Sequence, residues 1–88
     1  MTLRDLLSKL KWDPREDFDN ATISYLDRTQ DARGATIARL NSFRGGDVVE
    51  MGRGIIAVKK DDEISHIPFH RVREVRSSDG RVRWSRET

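Results

Sequence analysis

The last third of the chain decides the fold, and its sequence is Ile64-Ser-His-Ile-Pro-Phe-His-Arg-Val-Arg-Glu-Val-Arg-Ser-Ser-Asp-Gly-Arg-Val-Arg-Trp-Ser-Arg86. Near its end, Val82 and Trp84 alternate with arginines, a pattern typical of a β-strand. The segment Ser77-Ser-Asp-Gly80 precedes this strand, and its glycine can supply the positive φ that a tight turn requires. The stretch therefore predicts a β-hairpin that gathers both histidines and six arginines beside two aromatic rings.

The first strand of this hairpin is predicted to be irregular. Pro68 lacks an amide donor, which places it at a strand end, an edge or a bulge. Val72 and Val75 are three residues apart, so a regular strand cannot bury both on one face. We therefore expect a bulge or a single helical turn near Arg73. Bulges are frequent beside functional sites because they redirect side chains.

The N-terminal segment predicts an amphipathic helix. Thr2 is followed three residues later by an acidic residue, as in a capping box, and leucines recur with helical spacing at positions 3, 6, 7 and 10. Asp13-Pro14 ends the helix, since a residue before proline is driven out of the α region. Trp12 and Phe18 flank the next loop, and we expect their rings to fold back and seal the helix onto a sheet.

Short strands separated by turn residues fill the rest of the chain. The predicted strands are residues 22–28, 35–40, 48–51, 55–59 and 63–67, and residues 35–43 also fit a short helix. This spacing predicts an antiparallel sheet. The expected fold class is α+β, with one N-terminal helix packed on a small antiparallel β-sheet curled into a barrel, and residues 1–88 forming a single domain.

Composition limits the classes of function. The 88 residues are 35% hydrophobic and 36% charged, with a mean hydropathy of -0.74 and no cysteine. No apolar run is long enough to span a membrane and no secretory signal is visible, so we expect a cytoplasmic protein without disulfides. Residues 1–63 carry 11 basic and 12 acidic residues, whereas residues 64–88 carry six arginines and three acids. This asymmetry favours an anionic partner such as phosphate, which guanidinium binds through paired hydrogen bonds.

Other chemistries find less support in the sequence. His66 and His70 have the spacing of two helical metal ligands, but Pro68 disfavours a helix, and in a strand they would lie about 13 Å apart. We therefore expect no metal site. The glycines match no nucleotide-binding loop, so we also expect no cofactor. Two alternatives stay open: a minimal RNA phosphodiesterase that uses His66 and His70 as acid and base, and a protein-interaction module.

Imidazole, guanidinium and aromatic groups together are typical of a surface for single-stranded or terminal RNA. Arg71 and its neighbours would bind phosphate, and an exposed ring would stack an unpaired base, which is typically worth about 1–3 kcal/mol. A histidine would donate to a phosphate oxygen or a ribose hydroxyl. For Trp84 the alternative is a core position beneath the helix, which composition alone slightly favours. The hydroxyl of Tyr25 is compatible with either a buried partner or a ligand.

Four segments also resemble a known family. Leu10-Lys-Trp-Asp-Pro14, Tyr25-Leu-Asp-Arg28, Ile67-Pro-Phe-His-Arg-Val72 and Trp84-Ser-Arg86 resemble the motifs of the RNA cyclic-group end recognition domain, a small and mainly archaeal family. The resemblance implies a domain that recognises RNA ends, in particular 2′,3′-cyclic phosphates, and is sometimes fused to RNA-processing enzymes. Our leading hypothesis is that this RNA-binding domain is non-catalytic. The resemblance implies that the RNA contacts are His70, Arg71, Trp84 and Arg86, with Tyr25 and Arg28 as second candidates.

Overall fold

The computed structural model describes residues 2–86 and contains one helix followed by seven strands. The helix α1 is Leu3–Trp12, and the strands are β1 Thr22–Gln30, β2 Thr36–Arg44, β3 Val48–Gly52, β4 Ile55–Lys60, β5 Glu63–Pro68, β6 Val72–Arg76 and β7 Val82–Ser85. Three short 3₁₀ turns lie between them, at Phe18–Asn20, Gly45–Asp47 and Phe69–Arg71. The predicted α+β class is confirmed.

The strands form two separate antiparallel sheets. The first has the order β2-β1-β6-β7 and the second has the order β3-β4-β5. Neither sheet of residues 2–86 closes on itself, so the predicted barrel is wrong. The physical reason is that the chain changes sheet at the 3₁₀ turns Gly45–Asp47 and Phe69–Arg71. A 3₁₀ turn interrupts the strand ladder, and each sheet is left with two edges.

The helix and both sheets share one hydrophobic core. The side-chain oxygen of Thr2 accepts a hydrogen bond from the amide of Asp5 at 3.2 Å, which confirms the predicted cap. The buried face of α1 is the predicted leucine stripe, Leu3, Leu6, Leu7 and Leu10. The sheets contribute the other large core residues, which are Ile23, Phe43, Val72 and Val75 from the first sheet and Ile56, Val58 and Ile67 from the second.

The two rings beside the first loop have different environments. Phe18 is buried in the core, as expected, whereas the side chain of Trp12 is 76% exposed. The expectation that Trp12 seals the helix onto the sheet is therefore wrong. Trp12 is the last residue of α1 and lies outside its leucine stripe, where the ring meets solvent and the ammonium of Lys11, 5.4 Å from its centroid.

The strand and turn predictions differ in their accuracy. Residues 35–43 form no helix, residues 36–43 make up most of β2, and both β1 and β2 extend beyond their predicted C-terminal ends. Gly80 has a φ of +88° and donates its amide to the carbonyl oxygen of Ser77, which confirms the predicted turn between β6 and β7. In residues 2–86 we find no helix with the length and apolar character needed to cross a bilayer.

Candidate nucleic-acid interface

Five residues surround a depression of about 90 Å³ beside the first sheet, and we call it the cationic depression. It is lined by Leu26, Arg28, His70, Arg71 and Arg73. Strand β1 pairs with β6 only from Thr22 to Tyr25, although β1 itself continues to Gln30. The side chains at 26 and 28 therefore lie beyond the paired part of the strand. The 3₁₀ turn Phe69–Arg71 brings the imidazole and a guanidinium to the same place.

A β-bulge adds the third arginine to the depression. Ser24 pairs with Glu74 and Tyr25 pairs with Val72, which leaves Arg73 without a partner on β1. The extra residue allows Val72 and Val75 both to be fully buried. The predicted bulge near Arg73 is confirmed, and its consequence is that the Arg73 side chain lines the depression and does not enter the core.

The arginines of the depression lack acidic partners. Within residues 2–86, no ion pair is formed by Arg28, Arg71 or Arg73. The nearest acids along the chain are engaged elsewhere, since Glu74 pairs with Arg76 and Asp27 accepts a hydrogen bond from the Asn41 amide at 3.1 Å. Three like charges that share one depression repel one another, and an anion bound between them would relieve this repulsion.

Trp84 and Arg86 lie outside the depression. Trp84 pairs with Val75, so its half-buried ring is on the core side of the sheet and packs against the hydrophobic cluster. The Arg86 guanidinium stacks on this ring at 5.3 Å and donates to the carbonyl oxygens of Val72 at 3.2 Å and Phe69 at 3.4 Å. His70 and Trp84 therefore do not combine in the single RNA-binding surface that the sequence predicted. Arg86 instead braces the turn that presents His70.

Tyr25 is also placed on the core side. Its half-buried ring packs against the hydrophobic cluster and lies 5.7 Å from the Phe43 ring, centroid to centroid. Burial, followed by the nearby charge of Asp27, raises the pKa of the Tyr25 hydroxyl. The motif Tyr25-Leu-Asp-Arg28 is therefore divided, because Tyr25 supports the core while Arg28 lines the cationic depression.

The two histidines line different depressions. His66 lies on the outer face of the second sheet, in a depression of about 410 Å³ that is described below. This separation gives no geometric support to a phosphodiesterase with both imidazoles at one reacting phosphate. Among residues 2–86, no three His, Cys, Asp or Glu side chains form a group that could bind a metal ion.

A bidentate ion pair fixes the hairpin to the loop after α1. Arg83 donates to both carboxylate oxygens of Glu16, at 2.9 and 3.1 Å, and both side chains are largely shielded from solvent. These hydrogen bonds hold the pKa of the Glu16 carboxyl below its ordinary value. In the turn that precedes β7, hydrogen bonds from the Ser77 hydroxyl and the Arg81 amide lower the pKa of Asp79. The turn and the start of β7 are thus both restrained.

Two residues of the depression were not singled out from the sequence. Arg73 had a usable signal, because the three-residue spacing of Val72 and Val75 already required an extra residue between them. Leu26 had a weaker one, since it alternates with Arg28 along β1 and so shares its face. Nothing in the sequence indicated that the pairing between β1 and β6 would end at Tyr25, before Leu26 and Arg28.

The fold and this site define a small α+β protein with a cationic surface depression at the edge of its larger sheet. Residues 1–86 match the family model of the MJ1316 RNA cyclic group end recognition domain, and the chain belongs to that family. The resemblance inferred from the sequence is confirmed.

Archaeal proteins are among its relatives. The chain is 35% identical over 80 residues to a UPF0248 protein of Pyrobaculum calidifontis, with 91% of each chain covered. It is 30% identical over 83 residues to a UPF0248 protein of Pyrococcus horikoshii, with 94% of this chain and 87% of the relative covered. A UPF0248 protein of Thermococcus onnurineus is 33% identical over 90 residues, with 94% and 83% covered. No solved structure matches the chain.

Proposed function

We propose that the protein binds the phosphate-bearing end of an RNA strand in the cationic depression and does not cleave it. The observation that carries the proposal is the group of three arginines without an acidic partner in residues 2–86, beside an exposed histidine. The family description, which names RNA cyclic group end recognition, supports the same class of ligand.

The size of the depression favours one phosphate group over a whole nucleotide. Its volume of about 90 Å³ is small beside the roughly 300–1,000 Å³ of pockets that enclose larger ligands. Arg28, Arg71 and Arg73 would bind the phosphate oxygens through charge-assisted hydrogen bonds. His70 would donate to a phosphate oxygen or to the ribose, which would favour RNA over DNA if the acceptor is the 2′-hydroxyl. A terminal 2′,3′-cyclic phosphate is the finer form of this proposal.

The roles of Trp84 and Arg86 follow from their position on the core side. We assign Arg86 as a positioning residue, because its guanidinium bonds the carbonyl oxygens at both ends of the segment from Phe69 to Val72. Trp84 supplies the flat surface against which that guanidinium lies. Tyr25 supports the core beneath the same segment.

Arg86→Lys should weaken binding of phosphate-ended RNA roughly tenfold, the change that corresponds to 1.4 kcal/mol. Lysine keeps the charge but lacks the planar fork that reaches two carbonyl oxygens, so the turn carrying His70 loses its brace. The dependence of affinity on salt should stay unchanged, because Arg86 would not contact phosphate. The measurement is a series of titrations at increasing salt concentration.

Arg81→Lys is the matched control, since Arg81 lies on the same hairpin, is exposed and does not line the cationic depression. It should bind like the original protein. If the slope of log affinity against log salt instead becomes shallower by about one in Arg86→Lys, Arg86 contacts phosphate directly. That result would contradict the positioning role.

The test of the function itself compares three RNA ends on one short sequence. We expect RNAs that end in a 2′,3′-cyclic phosphate or a linear phosphate to bind more tightly than the RNA that ends in a hydroxyl, with no RNA consumed. Affinity should fall as salt rises, because phosphate binding releases counterions. Equal affinity for all three ends would exclude end recognition and leave general RNA binding.

The same titration separates the alternatives. Conversion of the cyclic phosphate to a linear one would favour the phosphodiesterase. If no RNA binds, the protein-interaction module becomes the better explanation of the positive charge on this face.

A further inference from the structure

The second sheet carries a larger depression on the face that points away from the core, and we call it the outer-sheet depression. Its volume is about 410 Å³, and it is lined by Glu50, Gly52, Arg53, Ile55, Ala57 and His66. Register places these residues together, since Ala57 pairs with both Glu50 and His66 while Ile55 pairs with Gly52. The volume lies within the roughly 300–1,000 Å³ typical of small-ligand sites.

The lining combines an apolar floor with a mixed polar rim. Ala57 forms part of the floor, and Ile55 is 43% exposed, so that it presents an apolar surface to the depression. Glu50 offers acceptors and Arg53 offers donors, and neither forms an ion pair within residues 2–86. His66 can donate and accept. A carboxylate beside the site disfavours phosphate, whereas a nucleobase has an apolar face and an edge of donors and acceptors.

A backbone hydrogen bond links the segments that line the outer-sheet depression and the cationic depression. The amide of Phe69 donates to the carbonyl oxygen of Gly54 at 2.8 Å. Phe69 precedes His70, which lines the cationic depression, and Gly54 precedes Ile55, which lines the outer-sheet depression. Strand β5 also leads directly from His66 to the turn at Phe69–Arg71. A single RNA strand could therefore pass from one depression to the other across this turn.

We propose that the outer-sheet depression binds a nucleobase of the same RNA, a few nucleotides upstream of the terminal phosphate. This inference rests on the proposed function, because the phosphate in the cationic depression fixes the position of the strand. It accounts for the exposed apolar and mixed polar residues on the second sheet, which phosphate recognition does not use.

Gly52→Leu tests the inference by filling the depression. A Cβ added at Gly52 would meet no atom within 4 Å, and the backbone there is not in the left-handed region, so the variant should fold. The ligands are RNAs of one to four nucleotides that end in a linear phosphate. With the original protein, affinity should rise by roughly tenfold as nucleotides are added, an increment of about 1.4 kcal/mol. In Gly52→Leu the one-nucleotide affinity should be unchanged and the increment should be lost.

Two controls give the result its meaning. Ile64→Phe adds bulk to an exposed position on the same face that does not line the depression, and it should keep the increment. An RNA with abasic riboses upstream of its final nucleotide should bind the original protein as weakly as the single nucleotide does.

The inference is overturned if Gly52→Leu keeps the whole increment, or if abasic RNA keeps it, because the gain would then come from the backbone. It is also overturned if added nucleotides raise no affinity in the original protein while the single nucleotide still binds, and in that case the proposed function stands. If no phosphate-bearing ligand binds at all, the proposed function fails and this inference fails with it.

Discussion

Arg71→Ala is expected to weaken binding of phosphate-ended RNA by about 10- to 100-fold, because a hydrogen bond to a charged group contributes about 1.5–3 kcal/mol. The dependence of log affinity on log salt should become shallower by about one, since one phosphate contact is removed. The free energy of unfolding should change by no more than about 0.5 kcal/mol, because Arg71 has no ion-pair partner in residues 2–86. Titrations at several salt concentrations and urea denaturation measure the three quantities.

Arg81→Ala removes the same charge from the β6–β7 hairpin that follows Arg71, but outside the cationic depression. Its effect on affinity should be small, and it should be equal for phosphate-ended and hydroxyl-ended RNA. If Arg81→Ala and Arg71→Ala weaken binding to the same extent, diffuse attraction to a basic surface explains the binding and the depression has no special role. If Arg71→Ala unfolds, the residue is structural.

The local features of the fold were predictable because they depend on neighbouring residues. The helix follows from its leucine spacing and its threonine cap, and the last hairpin follows from alternation and a glycine turn. The bulge at Arg73 was predictable for a similar reason, since two buried valines three residues apart require one extra residue between them. Because the bulge places Arg73 in the cationic depression, this part of the candidate site could also be predicted from the sequence.

The remaining features depend on contacts between distant segments. Whether seven strands close into a barrel or divide into two sheets depends on where the 3₁₀ turns interrupt the ladders, and strand patterns do not contain this information. Likewise, Trp84 faces the core because it pairs with Val75 across a bulged hairpin. Arg86 then takes its partners from carbonyl oxygens that are distant in sequence. A cluster of arginines in the sequence cannot show which of them contact the backbone and which remain available to a ligand.

Gly45→Ala is expected to destabilise the protein by about 2–5 kcal/mol, because overpacking and a lost buried hydrogen bond both contribute. A Cβ at position 45 would lie 1.9 Å from the carbonyl oxygen of Phe18, and that oxygen belongs to the backbone of another 3₁₀ turn. The turn Gly45–Asp47 cannot move away from Phe18 without losing a hydrogen bond, since the Gly45 amide donates to the carbonyl oxygen of Ala21 at 2.9 Å. For a small domain with a total stability of about 5–15 kcal/mol, this loss is a large fraction. The urea midpoint of unfolding measures it.

Two other glycines, Gly46 and Gly52, provide a graded control for this prediction. A Cβ at Gly46 would lie 3.2 Å from the Asp19 carbonyl oxygen, so Gly46→Ala should cost less than Gly45→Ala. A Cβ at Gly52 would meet nothing within 4 Å, and Gly52→Ala should be neutral or stabilising by up to about 1 kcal/mol, because alanine restricts the unfolded chain. If all three variants unfold at the same urea concentration, the close approach of the turns Phe18–Asn20 and Gly45–Asp47 does not determine stability. If the predicted order is observed, this approach is what fixes the crossing between the two sheets, since the chain leaves the first sheet for the second at Gly45.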